Sequence, residues 1–252
     1  MTNDVQILNN GYPMPAVGLG VYKIADEQME EVVRTALDAG YRAFDTAYFY
    51  GNEKALGSAL KHSNVERDEL FITSKLWNDY QGYDQTIEYF NKSLDNLGLD
   101  YLDLFLIHWP CENNQLYIES YKALEHLYEE GKIKAIGVCN FKIHHLEKLM
   151  RETKITPQVN QIELHPYFNQ QDVQDFCDEH DIKVTAWMPL MRNKGLLDDP
   201  VITDIAHRYD KTPAQIVLRW HLAHNRIIIP KSQTPKRIKE NFDIFDFNLY
   251  MA

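Results

Sequence analysis

Residues 101–141 read YLDLFLIHWPCENNQLYIESYKALEHLYEEGKIKAIGVCNF and carry the clearest fold pattern in the chain. Two short apolar segments, residues 101–109 and 133–141, flank an amphipathic stretch that ends at Gly131, where a glycine is typical of a helix stop. Strand, helix and strand in this order form the unit from which parallel sheets are built. The stretch therefore predicts two neighbouring parallel strands joined by a helix.

The same alternation extends along the whole chain. Eight short apolar segments alternate with amphipathic ones: residues 15–20, 42–48, 70–77, 101–109, 133–141, 157–165, 182–189 and 226–232. Eight repeats in 252 residues fit a closed (β/α)8 TIM barrel, which typically needs ~250 residues, better than an open sheet. No linker-like tract divides the chain, so residues 1–252 are predicted to form a single barrel domain.

Turn and cap residues add detail to this α/β prediction. The tripeptide Asn9-Asn10-Gly11 lies between short apolar runs and predicts a short β-hairpin ahead of the barrel. Three late helices are predicted where a capping residue precedes a proline: Asp199-Pro200, Thr212-Pro213 and Thr234-Pro235.

Charge and composition argue against several classes of function. The formal net charge of −11 would repel a phosphate backbone, so nucleic acid is not expected as a partner. Three cysteines without a C-x-x-C pair, and an N-terminus without a secretory pattern, favour a cytoplasmic location. No apolar run approaches the ~18 residues of a membrane span. His144 and His145 lack a third ligand at metal spacing, so no metal site is expected. The protein is expected to be a monomer.

Chemically active side chains follow the predicted strands. Barrel active sites lie at the carboxyl ends of the strands, so these residues would meet at one mouth. Polar loops in general explain Ser, Asn and Lys there, but not so many Trp, Tyr and His side chains. The strand-end residues are Tyr22, Asp45 to Tyr50, Lys75, Trp77, His108, Trp109, Asn140, Gln161 to His165, Trp187, Lys231 and Ser232.

Four of these residues, Asp45, Tyr50, Lys75 and His108, suit carbonyl chemistry as a set, although each alone is more often structural or solvated. A phenol with a pKa near ~10 is a reluctant proton donor at neutral pH. A lysine ammonium ~4 Å away, at an effective dielectric of ~20, favours the phenolate by up to ~4 kcal/mol. Asp45 would keep that lysine charged, and His108 can orient a substrate oxygen. The set suits delivery of a proton to a carbonyl whose carbon receives a hydride.

The end of the chain indicates a phosphate-bearing hydride donor. Lys231 and Ser232 follow the eighth apolar segment, and Thr234-Pro235 opens a helix with three cations in its first turns. Cations at a helix N-terminus oppose the macrodipole unless an anion lies there too. TIM barrels often bind phosphate after strands seven and eight, although a solvated basic face is the alternative.

Taken in order, the motifs closely resemble those of the aldo-keto reductases along nearly the whole chain. The matching motifs are MPAVGLGVY, AFDTAYFYGNE, ITSKLW, YLDLFLIHWP, IGVCNF, VNQIELHP and IPKSQTPKRIKENFDIFDF. The resemblance implies a (β/α)8 barrel that reduces aldehydes, ketones or dicarbonyls with NADPH, in the branch of small bacterial-type aldehyde and diketo-gluconate reductases. It implies Tyr50 as the general acid, Lys75 and Asp45 as its tuning pair, and His108 as the residue that orients the substrate.

The resemblance also implies where cofactor and substrate bind. The implied cofactor residues are a nicotinamide group of Asn140, Gln161 and Trp187, a 2′-phosphate group of Lys231, Ser232 and Arg237, an adenine group of Glu240 and Asn241, and Leu190. Binding of the 2′-phosphate favours NADPH over NADH. The implied walls of the substrate pocket are Tyr22, Trp77 and Trp109, beside His108.

Three features depart from the family pattern. Cys139 stands where serine is common beside the nicotinamide amide, which predicts a weaker hydrogen bond there. Met188 replaces a common serine before Pro189, which puts a pyrophosphate contact in doubt. The chain stops at residues 245–252, FDFNLYMA, a C-terminal tail shorter than usual for the family.

Two other functions stay open at this level. The first is a Schiff-base barrel enzyme with Lys75 as its nucleophile, although a lysine paired with Asp45 should stay protonated. The second is an NADPH-binding barrel with a regulatory or structural role. A complete set of Asp45, Tyr50, Lys75 and His108 argues against that role, because a binding protein does not need a proton donor.

Overall fold

The structure, a computed structural model, describes residues 5–111 and 116–249, in which strands and helices alternate. The strands are β1 Val5–Ile7, β2 Pro13–Pro15, β3 Gly18–Gly20, β4 Ala43–Asp45, β5 Phe71–Leu76, β6 Leu102–Ile107, β7 Ile133–Cys139, β8 Val159–Glu163, β9 Lys183–Trp187 and β10 Ile227–Ile228. The helices are α1 Asp26–Ala39, α2 Glu53–Lys61, α3 Tyr83–Leu97, α4 Tyr117–Glu129, α5 Ile143–Glu152, α6 Gln171–Glu179, α7 Pro200–Tyr209, α8 Pro213–Ala223 and α9 Pro235–Phe242.

Strands β3 to β10 form one parallel sheet of eight strands that pair in chain order. The sheet closes on itself where Val17 pairs in parallel with Ile228. The Ile228 amide donates to the Ala16 carbonyl at 2.9 Å, and the Gly20 amide donates to the Pro230 carbonyl at 3.1 Å. The prediction of a (β/α)8 TIM barrel is therefore confirmed.

The N-terminal hairpin closes the bottom of the barrel. β1 and β2 pair antiparallel, as the Asn9-Asn10-Gly11 turn predicted. Leu8 and Met14 are buried in the cluster that includes Ala43 and Phe71, the first residues of β4 and β5. Because the amino ends of the strands are covered in this way, the opposite end is the one that can bind a ligand.

Strand side chains divide between the barrel interior and the layer under the helices. In β6, Leu104 and Leu106 belong to the interior cluster, whereas Phe105 belongs to the outer one and meets Phe90 of α3 edge-on at 5.2 Å. Both faces of β5 and β6 are buried. This is why β6, LDLFLI, is almost continuously apolar rather than alternating, whereas β5, FITSKL, also carries the buried polar side chains of Thr73, Ser74 and Lys75.

The three predicted helix caps differ in whether their side chains accept hydrogen bonds from the first amides of the helix. Asp199 accepts hydrogen bonds from two amides of α7, and Thr212 accepts one from α8, as their cap positions predicted. The third predicted cap, Thr234, precedes the proline of α9 but makes no side-chain cap bond. The first amides of α9 are therefore not capped by the Thr234 side chain.

The prediction about the C-terminal tail, residues 245–252, includes residues 250–252, which lie outside the described part of the chain. Among the described residues, no helix combines the length and the apolar character needed to cross a membrane.

Candidate active site

A cleft of about 920 Å³ opens at the carboxyl ends of the barrel strands. All but one of the residues that the sequence assigned to the site line it: Tyr22, Asp45, Tyr50, Trp77, His108, Trp109, Asn140, Gln161, Trp187, Leu190, Lys231, Ser232, Arg237, Glu240 and Asn241. The exception, Lys75, is buried directly below and contacts two of them. The fold thus brings every predicted site residue to one place.

A buried ion pair forms the floor of the cleft. Lys75 Nζ lies 2.5 Å from Asp45 Oδ1 and also donates to the Thr46 carbonyl at 2.7 Å. Gln161 Nε2 donates to the second oxygen of Asp45 at 2.8 Å. Burial by itself would lower the pKa of Lys75, but the adjacent Asp45 charge outweighs it and raises that pKa above 10.5. Lys75 therefore remains a cation at every physiological pH.

Tyr50 ends a short 3-10 turn, Tyr48–Tyr50, and places its hydroxyl above Lys75. The Lys75 Nζ to Tyr50 Oη distance is 3.5 Å, at the long limit for a hydrogen bond. Burial raises the pKa of Tyr50 to about 12, although the Lys75 charge works to lower it. The sequence argument gave the direction of the lysine effect, but it omitted the desolvation of the phenol, which is larger. Tyr50 is therefore protonated throughout the physiological range.

His108 lies beside Tyr50 as a neutral imidazole. Burial and the nearby Lys75 charge lower its pKa from 6.5 to about 3. Its ring meets Tyr50 at 5.9 Å and Trp77 at 5.1 Å, both edge-on. Its Nδ1 is buried and has no hydrogen-bond partner among the described residues. A neutral imidazole donates from one nitrogen only, which suits a contact to a substrate oxygen.

Aromatic rings form the walls around this floor. Tyr22 packs on Tyr50 with 4.8 Å between ring centroids. Trp77 stacks on Phe49 at 3.7 Å, and Trp109 is 40% exposed at the opening. Flat apolar walls next to the protonated Tyr50 hydroxyl are suited to a small carbonyl compound.

Two of the predicted nicotinamide residues, Trp187 and Asn140, are hydrogen-bonded to each other. Trp187 Nε1 donates to Asn140 Oδ1 at 2.8 Å, and Asn140 Nδ2 donates to the His108 carbonyl at 3.0 Å. The Asn140 backbone has a φ of 63°, a left-handed conformation that asparagine tolerates well. The Asn140 amide therefore links Trp187 to the His108 backbone, a contact that the sequence reasoning did not include.

The other end of the cleft is cationic. Lys231 and Arg237 line it near the amino end of α9. Burial and repulsion from Lys23 lower the pKa of Lys231. Ser232 Oγ accepts from the Thr234 amide at 3.1 Å. Cations crowded at a helix N-terminus are favourable when an anion binds between them.

A sequence model of the aldo/keto reductase family matches residues 16–251. The chain belongs to this family. The glyoxal reductase of Bacillus subtilis (strain 168) is 50% identical over 247 residues, which are 98% of this chain and 88% of that protein. The methylglyoxal reductase DkgA of Escherichia coli O157:H7 is 49% identical over 243 residues, which are 96% and 88% of the two chains.

Solved structures agree with this aldo/keto reductase fold. An aldo/keto reductase from Brucella melitensis superposes with a TM-score of 0.95 at 48% identity, covering 99% of this chain and 96% of that one. A variant of Gox0644 in complex with NADPH gives a TM-score of 0.95 at 43% identity, covering 99% of this chain and 90% of that one.

Several residues that line the cleft of this aldo/keto reductase were not assigned to it from the sequence: Lys23, Arg192, Leu197, Thr212, Pro213, Ala214, Gln233 and Thr234. They lie in loops and helix starts one to several positions beyond the strand ends. Lys23 directly follows the assigned Tyr22, so its charge could have been noticed. Arg192 lies in the loop after β9, which nothing in the local sequence pattern directs towards the cleft.

Proposed function

We propose that this aldo/keto reductase uses NADPH to reduce small aldehydes and dicarbonyls to alcohols, with Tyr50 as the proton donor. The observation that carries the proposal is the buried Asp45–Lys75 pair beneath the Tyr50 hydroxyl at the floor of an aromatic cleft. Glyoxal and methylglyoxal are the first substrates to test, because two relatives of about half identity carry those names.

The cleft suits NADPH along its whole length. Lys231, Ser232 and Arg237 would hold the 2′-phosphate where the α9 amides are not capped by the Thr234 side chain. Trp187 offers a flat face to the nicotinamide, and Gln161 lines the same part of the cleft. Leu190, Glu240 and Asn241 would complete the cofactor site. When bound, the dihydronicotinamide supplies the hydride that reduces the carbonyl carbon.

Tyr50 keeps the proton until charge develops on the substrate oxygen. An alkoxide is about as basic as hydroxide, whose conjugate acid, water, has a pKa of ~15.7. A phenol with a pKa of about 12 can therefore protonate it with a favourable free energy. The Lys75 ammonium then stabilises the phenolate that remains, and Asp45 keeps Lys75 charged.

His108 orients the carbonyl rather than donating the proton. Its pKa of about 3 leaves it neutral at physiological pH, so it can donate one hydrogen bond without competing with Tyr50 as the acid. The Asn140 amide holds the His108 carbonyl, which fixes the backbone from which this ring projects.

The Schiff-base alternative is not favoured. A nucleophilic amine must lose its proton, but the Lys75 ammonium donates to both Asp45 and the Thr46 carbonyl, and its pKa is raised. Lys75 is also fully buried, with 0% of its surface exposed, so a substrate carbonyl cannot approach it without displacing Tyr50.

The test is the variant Tyr50→Phe, which removes one hydroxyl and keeps the ring. We expect kcat for NADPH-dependent reduction of methylglyoxal to fall about 10²- to 10⁴-fold. The dissociation constant for NADPH, measured by quenching of tryptophan fluorescence, should stay within about twofold of the wild-type value. The exposed tyrosine variant Tyr83→Phe is the matched control. Unchanged turnover in Tyr50→Phe would remove Tyr50 from the mechanism.

A further inference from the structure

The turn that carries Tyr50 sends its three aromatic side chains in three directions. The Tyr50 ring lies over Lys75, with Nζ 5.1 Å from the ring centroid. Phe49 stacks on Trp77 with 15° between the rings. Tyr48 points away from the cleft into a group of tyrosines. The backbone position of the proton donor therefore depends on what its two neighbours pack against.

Tyr48, Tyr80 and Tyr89 form a compact group, named here the tyrosine cluster. The rings of Tyr80 and Tyr89 are stacked, with 3.5 Å between their centroids and an angle of 9° between their planes. Tyr48 meets both edge-on, at 5.5 Å and 85° from Tyr80 and at 5.0 Å and 83° from Tyr89. Edge-on contact is a preferred geometry for aromatic pairs, because the positive ring edge faces the negative ring face. The cluster thus fixes the position and orientation of the Tyr48 ring.

The cluster connects three separate elements around the site. Tyr48 begins the Tyr50 turn, Tyr80 ends the 3-10 turn Asn78–Tyr80 that follows the substrate wall Trp77, and Tyr89 lies on α3. The Tyr80 amide also donates to the Trp77 carbonyl at 3.1 Å. A shift of α3 would therefore reach both the proton donor and the substrate wall.

Other contacts anchor the ends of this turn but not its middle. Before it, the Thr46 amide donates to the Thr73 carbonyl at 2.9 Å. After it, Nδ2 of the Asn52 side chain donates to the Val21 carbonyl at 2.9 Å. A side chain added at Gly51, which follows Tyr50 directly, would meet nothing within 4 Å in the described part of the chain. The turn has no packing on that side, so its middle is held by ring contacts and by its own backbone hydrogen bonds, from the Tyr50 amide to the Ala47 carbonyl at 2.9 Å and from the Gly51 amide to the Tyr48 carbonyl at 3.2 Å.

We propose that Tyr80 and Tyr89 are positioning residues that act through Tyr48 to set the distance between the Tyr50 hydroxyl and Lys75. That distance, 3.5 Å, leaves little margin, since a longer one loses the hydrogen bond and weakens the charge attraction that stabilises the phenolate. Misplacement of a reacting group by about 1 Å is enough to cost about 100-fold in rate. The role in turnover rests on the proposed function, whereas the geometric role does not.

The kinetic test compares Tyr89→Ala with Tyr89→Phe. Alanine removes the ring that seats Tyr48, so we expect kcat for methylglyoxal to fall about 10- to 100-fold, with KM and the NADPH dissociation constant within about twofold. Phenylalanine keeps the ring and should restore kcat to within about threefold. Tyr83→Ala on the same helix, 38% exposed and away from Tyr48, is the control and should behave as wild type.

A structural readout separates positioning from general destabilisation. With 3-fluorotyrosine incorporated, the ¹⁹F resonance of Tyr50 is assigned from its loss in Tyr50→Phe. The proposal expects this resonance to shift or broaden in Tyr89→Ala and to return in Tyr89→Phe. Thermal unfolding of each variant identifies loss of fold.

The outcomes distinguish the two proposals. An unchanged Tyr50 resonance together with unchanged kcat in Tyr89→Ala would overturn the positioning role, as would an equal loss of activity in Tyr83→Ala. If Tyr50→Phe kept full turnover, the proposed function would fail. The ¹⁹F comparison would still decide whether the tyrosine cluster places Tyr50.

Discussion

The two ends of the cleft are built in opposite ways. At the end that contains Tyr50, Lys75 and Asp45 are buried; Lys75 makes three polar contacts within the protein and Asp45 makes two. At the cationic end, Lys231 and Arg237 lie at an exposed surface and repulsion from Lys23 opposes the charge on Lys231. The first end is satisfied without a ligand, whereas the second needs an anion to offset its repulsion.

Because of this difference, substitutions at the first end should change the stability of the protein, whereas substitutions at the second should change its affinity for a ligand. Removing a group from the satisfied end leaves a buried charge unpaired, which destabilises the folded state. Removing a cation from the repulsive end should leave stability nearly unchanged and weaken only ligand binding. The predictions below test this separation, starting with the largest expected effect.

The largest effect is expected for Lys75→Met. Loss of the ammonium leaves Asp45 buried without its partner, which typically costs about 3–5 kcal/mol of unfolding free energy. Turnover should also be lost, since no cation remains to stabilise the Tyr50 phenolate. Urea unfolding and methylglyoxal reduction measure the two effects.

The double variant Lys75→Met/Asp45→Leu is the matched control for that prediction. Replacing both charges by apolar side chains removes the unpaired carboxylate, so much of the lost stability should return while activity stays absent. A single variant as stable as wild type would contradict the view that this pair is a satisfied buried unit.

The second prediction concerns the stability of the folded protein at acidic pH. The pKa of His108 in the folded protein is about 3, below the ordinary 6.5, so the unfolded chain binds one more proton between these values. The stability that His108 contributes is therefore complete above pH 6.5 and is lost as pH falls towards 3, at about 1.4 kcal/mol per pH unit. The variant His108→Gln should flatten the slope of unfolding free energy by about one proton between pH 6 and pH 4. Urea unfolding across that range measures the slope.

An exposed histidine provides the comparison. His207 lies at an exposed position on α7, and His207→Gln is the matched control substitution. Equal slopes in wild type and His108→Gln would show that the floor of the cleft is open to solvent.

The sequence pattern predicted the barrel and the location of the site, because both follow from the order of apolar segments along the chain. Eight apolar segments predicted eight strands, and the barrel rule then placed Tyr50, Lys75, His108 and Lys231 at one mouth. The family resemblance added the roles. These predictions needed only the position of each residue relative to a strand end.

What the sequence could not give depends on tertiary contacts. The raised pKa of Tyr50 comes mainly from burial, and burial depends on how the Tyr22 and His108 rings pack around it. The bond from Trp187 to Asn140 joins residues 47 positions apart on different strand ends. No local pattern specifies such a pair.

The third prediction tests the cationic end with Arg237→Ala. Loss of one contact to a phosphate should raise the NADPH dissociation constant about tenfold, equivalent to about 1.4 kcal/mol. Affinity for NADH, which lacks the 2′-phosphate, should change little, and the unfolding free energy should stay within about 0.5 kcal/mol. Fluorescence titration with both nucleotides measures the ratio.

Lys236→Ala serves as its control, since Lys236 is exposed on the same helix but does not line the cleft. An equal loss of NADPH affinity in both variants would mean that the helix acts through its overall charge. Arg237 would then make no specific contact to the phosphate.

The smallest effect is expected at Cys139, in the part of the cleft that contains Asp45 and Lys75. This buried thiol lines the cleft at the end of β7 and packs with Leu106, Ala135 and Val159 in the barrel interior. Burial raises the pKa of the thiol, so it acts as a neutral, weakly polar group. Cys139→Ser offers a stronger hydrogen bond to the nicotinamide amide, worth about 1 kcal/mol, so NADPH should bind up to about fivefold more tightly.

The control for this last prediction is Cys177→Ser, since Cys177 is equally buried but lies on the buried face of α6 beside Asn160, away from the cleft. It should leave NADPH affinity unchanged. Weaker NADPH binding in Cys139→Ser would mean that this position belongs with the apolar interior, because a buried hydroxyl without a partner costs more than it contributes. Tighter binding would mean that the side chain at this position contacts the bound cofactor.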